Sequence, residues 1–147
     1  MGKSSAVDLT QERDFQFTAR FGGDIPDLLV DEPAPLGEGK GPSPDQLLAA
    51  SVANCLSASL LFALRKFKQD PSFIKTHAEA IIERNDEGRL RIAQVDVSIT
   101  LSNPASSYTH LDRALSQFED FCTVTQSIRQ SLPVNVTVKD SEGATLK

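Results

Sequence analysis

A long uncharged segment constrains this chain more than any other feature. The nineteen residues from Gln46 to Leu64 contain no Asp, Glu, Lys or Arg. Ser43 and Gln46 have the spacing of a capping box, and Pro44 suits the first position of a helix. The segment therefore predicts a helix that begins at Pro44 and carries apolar side chains on every face.

A helix that is apolar on all sides is either a central core helix or a membrane span. The polar residues Ser51, Asn54, Ser57 and Ser59 and the polar flanking segments favour the core helix. A chain of 147 residues predicts one domain over 1–147, with little material to surround such a helix. The helix therefore indicates a dimer in which a second copy supplies cover.

Charge and cysteine content narrow the functional classes. With 15 basic and 20 acidic residues, the net charge is 15 − 20 = −5, which gives no general attraction to nucleic acid or to an anionic membrane. Two cysteines are too few for a disulfide-stabilised secreted scaffold. We expect a reduced, cytoplasmic setting and no partner among nucleic acids or membranes.

The remaining segments predict an α+β fold, because strands and helices follow one another without βαβ repeats. Alternating apolar residues at 14–21 predict a half-buried strand, with a partner at 6–10 and a turn at 11–13. Four prolines and three glycines make 31–44 a loop. Further predicted elements are a hairpin of 73–83 and 89–101, a helix carrying 111–118 and capped by Ser106 or Ser107, a short helix at 125–131 and a strand at 134–138.

The candidate chemistry rests on the two thiols. The chain lacks the HExxH, GxSxG, P-loop and GxGxxG motifs, and its cysteines lack the close spacing of a structural zinc site. Cys55 lies three turns into the apolar helix, where it is either a buried packing residue or a nucleophile that needs a nearby cation. Cys122 lies near the start of a short helix, a place that can stabilise a thiolate, although Glu119 and Asp120 oppose this.

Residues 41–55, Gly-Pro-Ser-Pro-Asp-Gln-Leu-Leu-Ala-Ala-Ser-Val-Ala-Asn-Cys, resemble the signature of the OsmC/Ohr family of organic hydroperoxide reductases. The similarity includes the glycine-rich loop, the Pro-acid-x-Leu helix start and the cysteine ten positions after the acid. Cys122, followed closely by the last predicted strand, also fits, and the order of elements agrees over most of 13–140.

The resemblance implies antiparallel sheets around a long central helix, in an intertwined homodimer with active sites at the subunit interface. It implies a peroxidase in which Cys55 attacks an organic hydroperoxide and becomes a sulfenic acid, and Cys122 resolves it as a disulfide. A dithiol reductant, of lipoyl type or similar, then restores both thiols, and the resemblance implies that no metal or bound cofactor is needed. The apolar neighbours Val52, Leu56 and Leu60 are consistent with an oily substrate.

The acid and the cation of the family site are less closely matched. Asp45 stands where the family usually has Glu, and about ten residues separate it from Cys55, or roughly 15 Å along an unbroken helix. The two therefore act together only if the helix bends near residues 50–51 or if Asp45 serves the partner chain; Asp45 otherwise favours the helix start through the dipole. Arg13 is the candidate cation, Arg20 is the alternative, and either is otherwise a solvated strand residue.

A second function remains open at this point. Since 32–36 contains no Arg where some members of the family carry one, the alternative hypothesis is a non-catalytic dimer of the same fold. Such a dimer would bind a small apolar or lipid-like ligand at its interface, with Cys55 as part of the pocket lining.

Overall fold

The computed structural model describes residues 2–147. Its helices and strands are β1 (Asp8–Arg13), β2 (Gln16–Arg20), β3 (Leu28–Val30), α1 (Pro44–Lys66), β4 (Ile74–Arg84), β5 (Leu90–Leu101), α2 (Leu111–Gln117), α3 (Thr123–Ile128) and β6 (Val134–Lys139). The α+β class is confirmed. The chain divides into two compact units, one ending at Leu47 and one spanning Leu48–Lys147, whereas a single domain over 1–147 stays a prediction.

In the first unit, β1, β2 and β3 form an antiparallel sheet in that order. The turn between β1 and β2 lies at Asp14 and Phe15, so the prediction of a turn at 11–13 was wrong. Asp14 adopts a positive φ of 48°, a conformation that Asp tolerates better than most residues, and this allows a two-residue turn. Phe15 is consequently outside the strand and 42% exposed.

The predicted loop follows β3 and is organised by one buried carboxylate. Asp31 accepts hydrogen bonds from the backbone N–H groups of Glu32, Glu38 and Lys40 at 2.8, 3.2 and 3.1 Å. These bonds hold the pKa of the Asp31 carboxyl below its ordinary value. Gly37 is needed here because a Cβ atom would lie 2.2 Å from the Glu32 carbonyl oxygen.

The capping box is confirmed. The Ser43 N–H donates to Gln46 Oε1 at 3.0 Å, and the Gln46 N–H donates to Ser43 Oγ at 3.2 Å. The most apolar 18-residue window of helix α1 has a mean hydropathy of 2.0, which is high enough for a membrane span. Seven of its residues are nevertheless buried in the fold, as in a core helix: Ala49, Val52, Leu56, Ser59, Leu60, Ala63 and Leu64.

The second unit packs the main part of α1 against a three-stranded sheet in the order β4, β5, β6. The inward face of β5 carries Val95, Val97, Ile99 and Leu101, all buried as their alternation predicts. The expectation of antiparallel sheets needs one correction, because β6 pairs with β5 in parallel. A parallel neighbour needs a crossover connection, and α2 and α3 lie in it.

Two helix starts differ from the prediction. Ser106 and Ser107 belong to a separate 3-10 turn, and α2 begins after His110, whose side chain makes no capping bond. Helix α3 begins at Thr123 rather than at 125 and ends at Ile128. The reason for the earlier start is an unusual cap, the side chain of Cys122.

Candidate active site

Cys55 is half-buried on α1. It packs against the core cluster, whereas Leu56, the next residue, is fully buried within it. Val52 and Leu60 are fully buried as well. The apolar neighbours of Cys55 therefore pack α1 into the core, and Cys55 itself lies at the border between the core and the surface.

Cys122 is fully buried and is the N-cap residue of α3. Its thiol donates to Thr125 Oγ1 at 3.0 Å, and its sulfur accepts the backbone N–H of Thr125 at 3.4 Å. A sulfur atom thus does what a Ser or Asp oxygen does at an ordinary N-cap. Helix α3 and Thr125 together fix the position of this thiol.

The two cysteines are free and lie near each other in the second unit. Burial raises the pKa of the Cys122 thiol, and the neighbouring Cys55 raises it further, while the hydrogen bonds from Thr125 act in the opposite direction. Cys122 is therefore a protonated thiol at neutral pH. Cys55 is the more exposed of the two cysteines.

A group of charged residues braces the turn that leads into Cys122. The Cys122 N–H donates to the Glu119 carbonyl at 3.1 Å. Arg129 donates to the Glu119 carboxylate at 2.5 Å, and Lys147 forms a second ion pair with it. Burial acts to raise the pKa of Glu119, but the hydrogen bonds from Lys147 and Arg129 outweigh it and hold the pKa low. Arg129 and Lys147 thus balance the negative charge of Glu119. This removes much of the expected opposition of that charge to a thiolate at Cys122.

In the first unit, Arg13 is paired with a loop carboxylate. It donates to Glu38 Oε2 at 2.6 Å, and the Gln16 amide donates to the same oxygen at 3.0 Å. The hydrogen bond and charge of Arg13 hold the pKa of Glu38 low. The alternative cation, Arg20, pairs with Asp27 at 3.4 Å and donates to Thr10 at 3.1 Å.

Asp45 lies half-buried in the first turn of α1. The helix is continuous from Pro44 to Lys66. Asp45 is therefore well placed to interact favourably with the helix dipole. The roles predicted for Asp45 and Arg13 stay predictions. Within residues 2–147, no cluster of His, Cys, Asp and Glu has the arrangement of a metal site.

Residues 37–137 match the family described as OsmC-like protein. The chain belongs to this family. The match covers the start of α1, both cysteines and most of β6, which are the parts on which the sequence resemblance depends. Among curated proteins, none matches the chain significantly by sequence.

Solved structures of the OsmC-like family share the fold at low sequence identity. An OsmC-like protein from Mycoplasma pneumoniae is 16% identical with a TM-score of 0.78, covering 95% of this chain and 99% of that one. The organic hydroperoxide resistance protein OhrB of Bacillus subtilis is 18% identical with a TM-score of 0.70, covering 93% and 98%. An organic hydroperoxide resistance protein OsmC from Legionella pneumophila is 18% identical with a TM-score of 0.72, covering 92% and 96%.

Sequence reasoning missed two residues of these networks. Thr125 was identifiable in principle, since it follows Cys122 by three positions, the spacing of an N-cap and its N3 residue. Glu38 stands between Gly37 and Gly39 in the loop. No local pattern pairs it with Arg13, which is twenty-five residues away.

Proposed function

We propose that this OsmC-like protein is a thiol-dependent peroxidase that reduces organic hydroperoxides. The observation that carries the proposal is the juxtaposition of two free thiols, Cys55 on α1 and Cys122 at the N-cap of α3. A redox pair needs two sulfurs that can reach each other. One must be accessible to the substrate, and the other must attack the first once it is oxidised. Membership of a family that includes organic hydroperoxide resistance proteins supports the same chemistry.

The cycle begins with the Cys55 thiolate. Its sulfur attacks the outer oxygen of the hydroperoxide, the O–O bond breaks, and the alkoxide leaves and takes up a proton as an alcohol. Cys55 is thereby oxidised to a sulfenic acid while the peroxide is reduced. The Cys122 sulfur then attacks the Cys55 sulfur, an S–S bond forms, and the hydroxyl leaves as water after taking a proton. Two thiol–disulfide exchanges with a dithiol return both cysteines to thiols and leave the dithiol oxidised.

The exposure of the two cysteines and the raised pKa of Cys122 support this division of roles. Cys122 is fully buried, and burial raises its pKa, so it is poorly suited to meet a peroxide from solution. Cys55 is partly exposed. The accessible thiol therefore acts first, and the buried one resolves the sulfenic acid after it forms.

The remaining parts of the proposal follow from the family resemblance and, for the cytoplasmic setting, from the cysteine content of the sequence. The enzyme works as a homodimer, in a reducing cytoplasmic setting, as a defence against oxidative stress. Its reductant is a dithiol of lipoyl type or similar. A dimer also agrees with the apolar side chains that α1 leaves exposed, such as Phe62 at 58%.

The cysteine roles are tested by intact mass and peptide mapping after one equivalent of cumene hydroperoxide. We expect the wild type to lose two hydrogens and to yield a Cys55–Cys122 cross-link. Cys122→Ser should be oxidised once at Cys55, give a dimedone adduct and then stall, whereas Cys55→Ser should show neither oxidation nor turnover. Normal turnover by Cys55→Ser would refute the proposal.

The cation is tested with matched arginine variants. We expect Arg13→Ala to slow oxidation of Cys55 by about tenfold or more, the scale on which a charge-assisted hydrogen bond stabilises a thiolate. Arg20→Ala, in the next strand of the same sheet, is the control and should change the rate less than twofold. Stopped-flow kinetics with dimedone trapping measures the step. The reverse ranking would assign the role to Arg20, and two unchanged rates would exclude both.

An apolar groove in the first unit favours a second candidate, a ligand-binding protein without peroxidase activity. The groove has a volume of about 300 Å³, and it is lined mainly by apolar side chains, among them Leu9, Phe15, Phe17 and Leu47. If both thiols survive the peroxide, a fluorescent fatty acid serves as the probe. Saturable binding that Phe15→Asp weakens would then support the second candidate.

A further inference from the structure

The neighbourhood of Cys122 contains one polar side chain that the proposed cycle does not yet use. Thr125 is fully buried, and its hydroxyl oxygen lies 3.0 Å from the Cys122 sulfur. Its backbone N–H points at the same sulfur from 3.4 Å. A hydroxyl group can accept a hydrogen bond or donate one, so this contact can persist in both ionisation states of the thiol.

We propose that Thr125 is the positioning residue of the resolving step, whose hydroxyl holds the reduced Cys122 thiol and then stabilises its thiolate. In the resting protein the S–H donates to Thr125 Oγ1. When Cys122 loses its proton, the hydroxyl rotates and donates to the sulfur, beside the backbone N–H that already does so. The inference rests on the proposed function for its place in the cycle, and on geometry for the contact itself.

The chemistry of the resolving step makes such a donor necessary. Cys122 must give up its proton to attack the Cys55 sulfenic sulfur, because the thiolate is the nucleophile. That proton ends on the departing sulfenic hydroxyl, which leaves as water. The surroundings of Cys122 are otherwise largely apolar, and a buried thiolate without donors is costly. Two donors from one residue offset this cost at the moment when charge develops.

Other titratable groups lie on the elements next to this thiol, and only Cys55 acts on it directly. Helix α1 contributes Cys55, the reaction partner. The 3-10 turn before Cys122 contributes Glu119 and Asp120, and Glu119 is held ionised by Arg129 and Lys147. Because that carboxylate keeps a low pKa, it does not change its charge where a thiol titrates.

The first test separates the two chemical steps. Rapid-quench mass spectrometry after cumene hydroperoxide measures the rates of sulfenic acid and of disulfide formation. We expect Thr125→Val to leave sulfenic acid formation within twofold and to slow disulfide formation by roughly tenfold or more. Thr125→Ser should restore the rate, since it keeps the hydroxyl. Thr123→Val, an exposed threonine in the same turn, is the control and should behave as wild type.

The second test does not depend on peroxide. In a Cys55→Ser background Cys122 is the sole thiol, so thiolate absorbance at 240 nm reports its titration alone. Adding Thr125→Val should move the midpoint upward by about one pH unit or more, and Thr125→Ser should not. Thr125→Ala serves as the hydroxyl-free variant if Thr125→Val does not fold.

The outcomes distinguish this inference from the proposed function. If the wild type forms no disulfide, the peroxidase proposal fails while the titration still decides the role of Thr125. If disulfide forms at the wild-type rate in Thr125→Val and the midpoint does not move, the Thr125 inference is wrong and the peroxidase stands. Failure of Thr125→Ser to rescue the rate would also overturn it, because shape rather than the hydroxyl would then matter.

Discussion

Two buried aspartates show how single carboxylates organise this chain at the residue scale. Asp31 accepts hydrogen bonds from three backbone N–H groups in the loop before α1. Asp140 does the same after β6, accepting from Ala105, Glu142 and Ala144 at 2.9, 3.0 and 2.9 Å. A carboxylate that accepts several N–H bonds is favoured in its charged form, and the pKa of each lies below its ordinary value.

Asp140 gives a pH-dependent prediction. Its folded pKa lies below the ordinary value of 3.8, chiefly because the Ala105 N–H donates to it. Its contribution to stability is therefore present above pH 3.8 and is lost as the pH falls through the folded pKa. We expect Asp140→Asn to lower the free energy of unfolding at pH 7, and the difference from wild type to shrink between pH 5 and pH 3. Urea denaturation at several pH values measures it.

Glu142→Gln is the matched control for Asp140→Asn. Glu142 is exposed and lies in the same turn, so its removal should have little effect at any pH. A deficit in Asp140→Asn that stays constant from pH 7 to pH 3 would contradict the linkage argument, since it would not depend on the charge.

At the scale of elements, the predictions succeeded where local chemistry decides the structure. The capping box fixed the start of α1, and period-two alternation identified the buried face of β5. The predictions failed where the structure depends on backbone geometry that no local sequence pattern indicates. The β1–β2 turn depends on the positive φ of Asp14, and the alternation of phenylalanines around it suggested a longer strand than exists.

The start of α3 shows why the site was only partly predictable. Propensity favours Ser, Thr, Asp and Asn as N-caps, so a cysteine gave no capping signal. The sequence identified Cys122 as a candidate redox thiol, but it did not indicate that Cys122 caps α3. Its nearness to Cys55 depends on the packing of α1 against the 3-10 turn Phe118–Phe121, which precedes Cys122. This is long-range information that one sequence does not contain.

At the scale of the whole molecule, the feature that calls for an explanation is the exposed apolar surface. Large apolar side chains are exposed in both units, including Leu9 at 54%, Phe62 at 58% and Phe73 at 57%. Contiguous apolar patches on a protein surface mark interaction sites. Helix α1 carries Phe62 on the side of the helix that the core of its own unit leaves exposed, and Phe121 packs against it edge-to-face at 5.3 Å. A second copy of the chain is the occupant that the family resemblance indicates.

This assignment predicts the oligomeric state and one residue that controls it. Size-exclusion chromatography with light scattering should give a mass of twice 16.0 kDa for the wild type. Phe62→Glu should shift the mass toward 16.0 kDa, because a buried unpaired carboxylate opposes association. Leu90→Glu is the control, since Leu90 is equally exposed at 58% but lies at the tip of the β4–β5 hairpin. If Leu90→Glu dissociates and Phe62→Glu stays dimeric, the interface lies on the hairpin instead. If the wild type is a monomer, the prediction of a dimer through α1 is wrong, and a different partner covers the exposed face of α1.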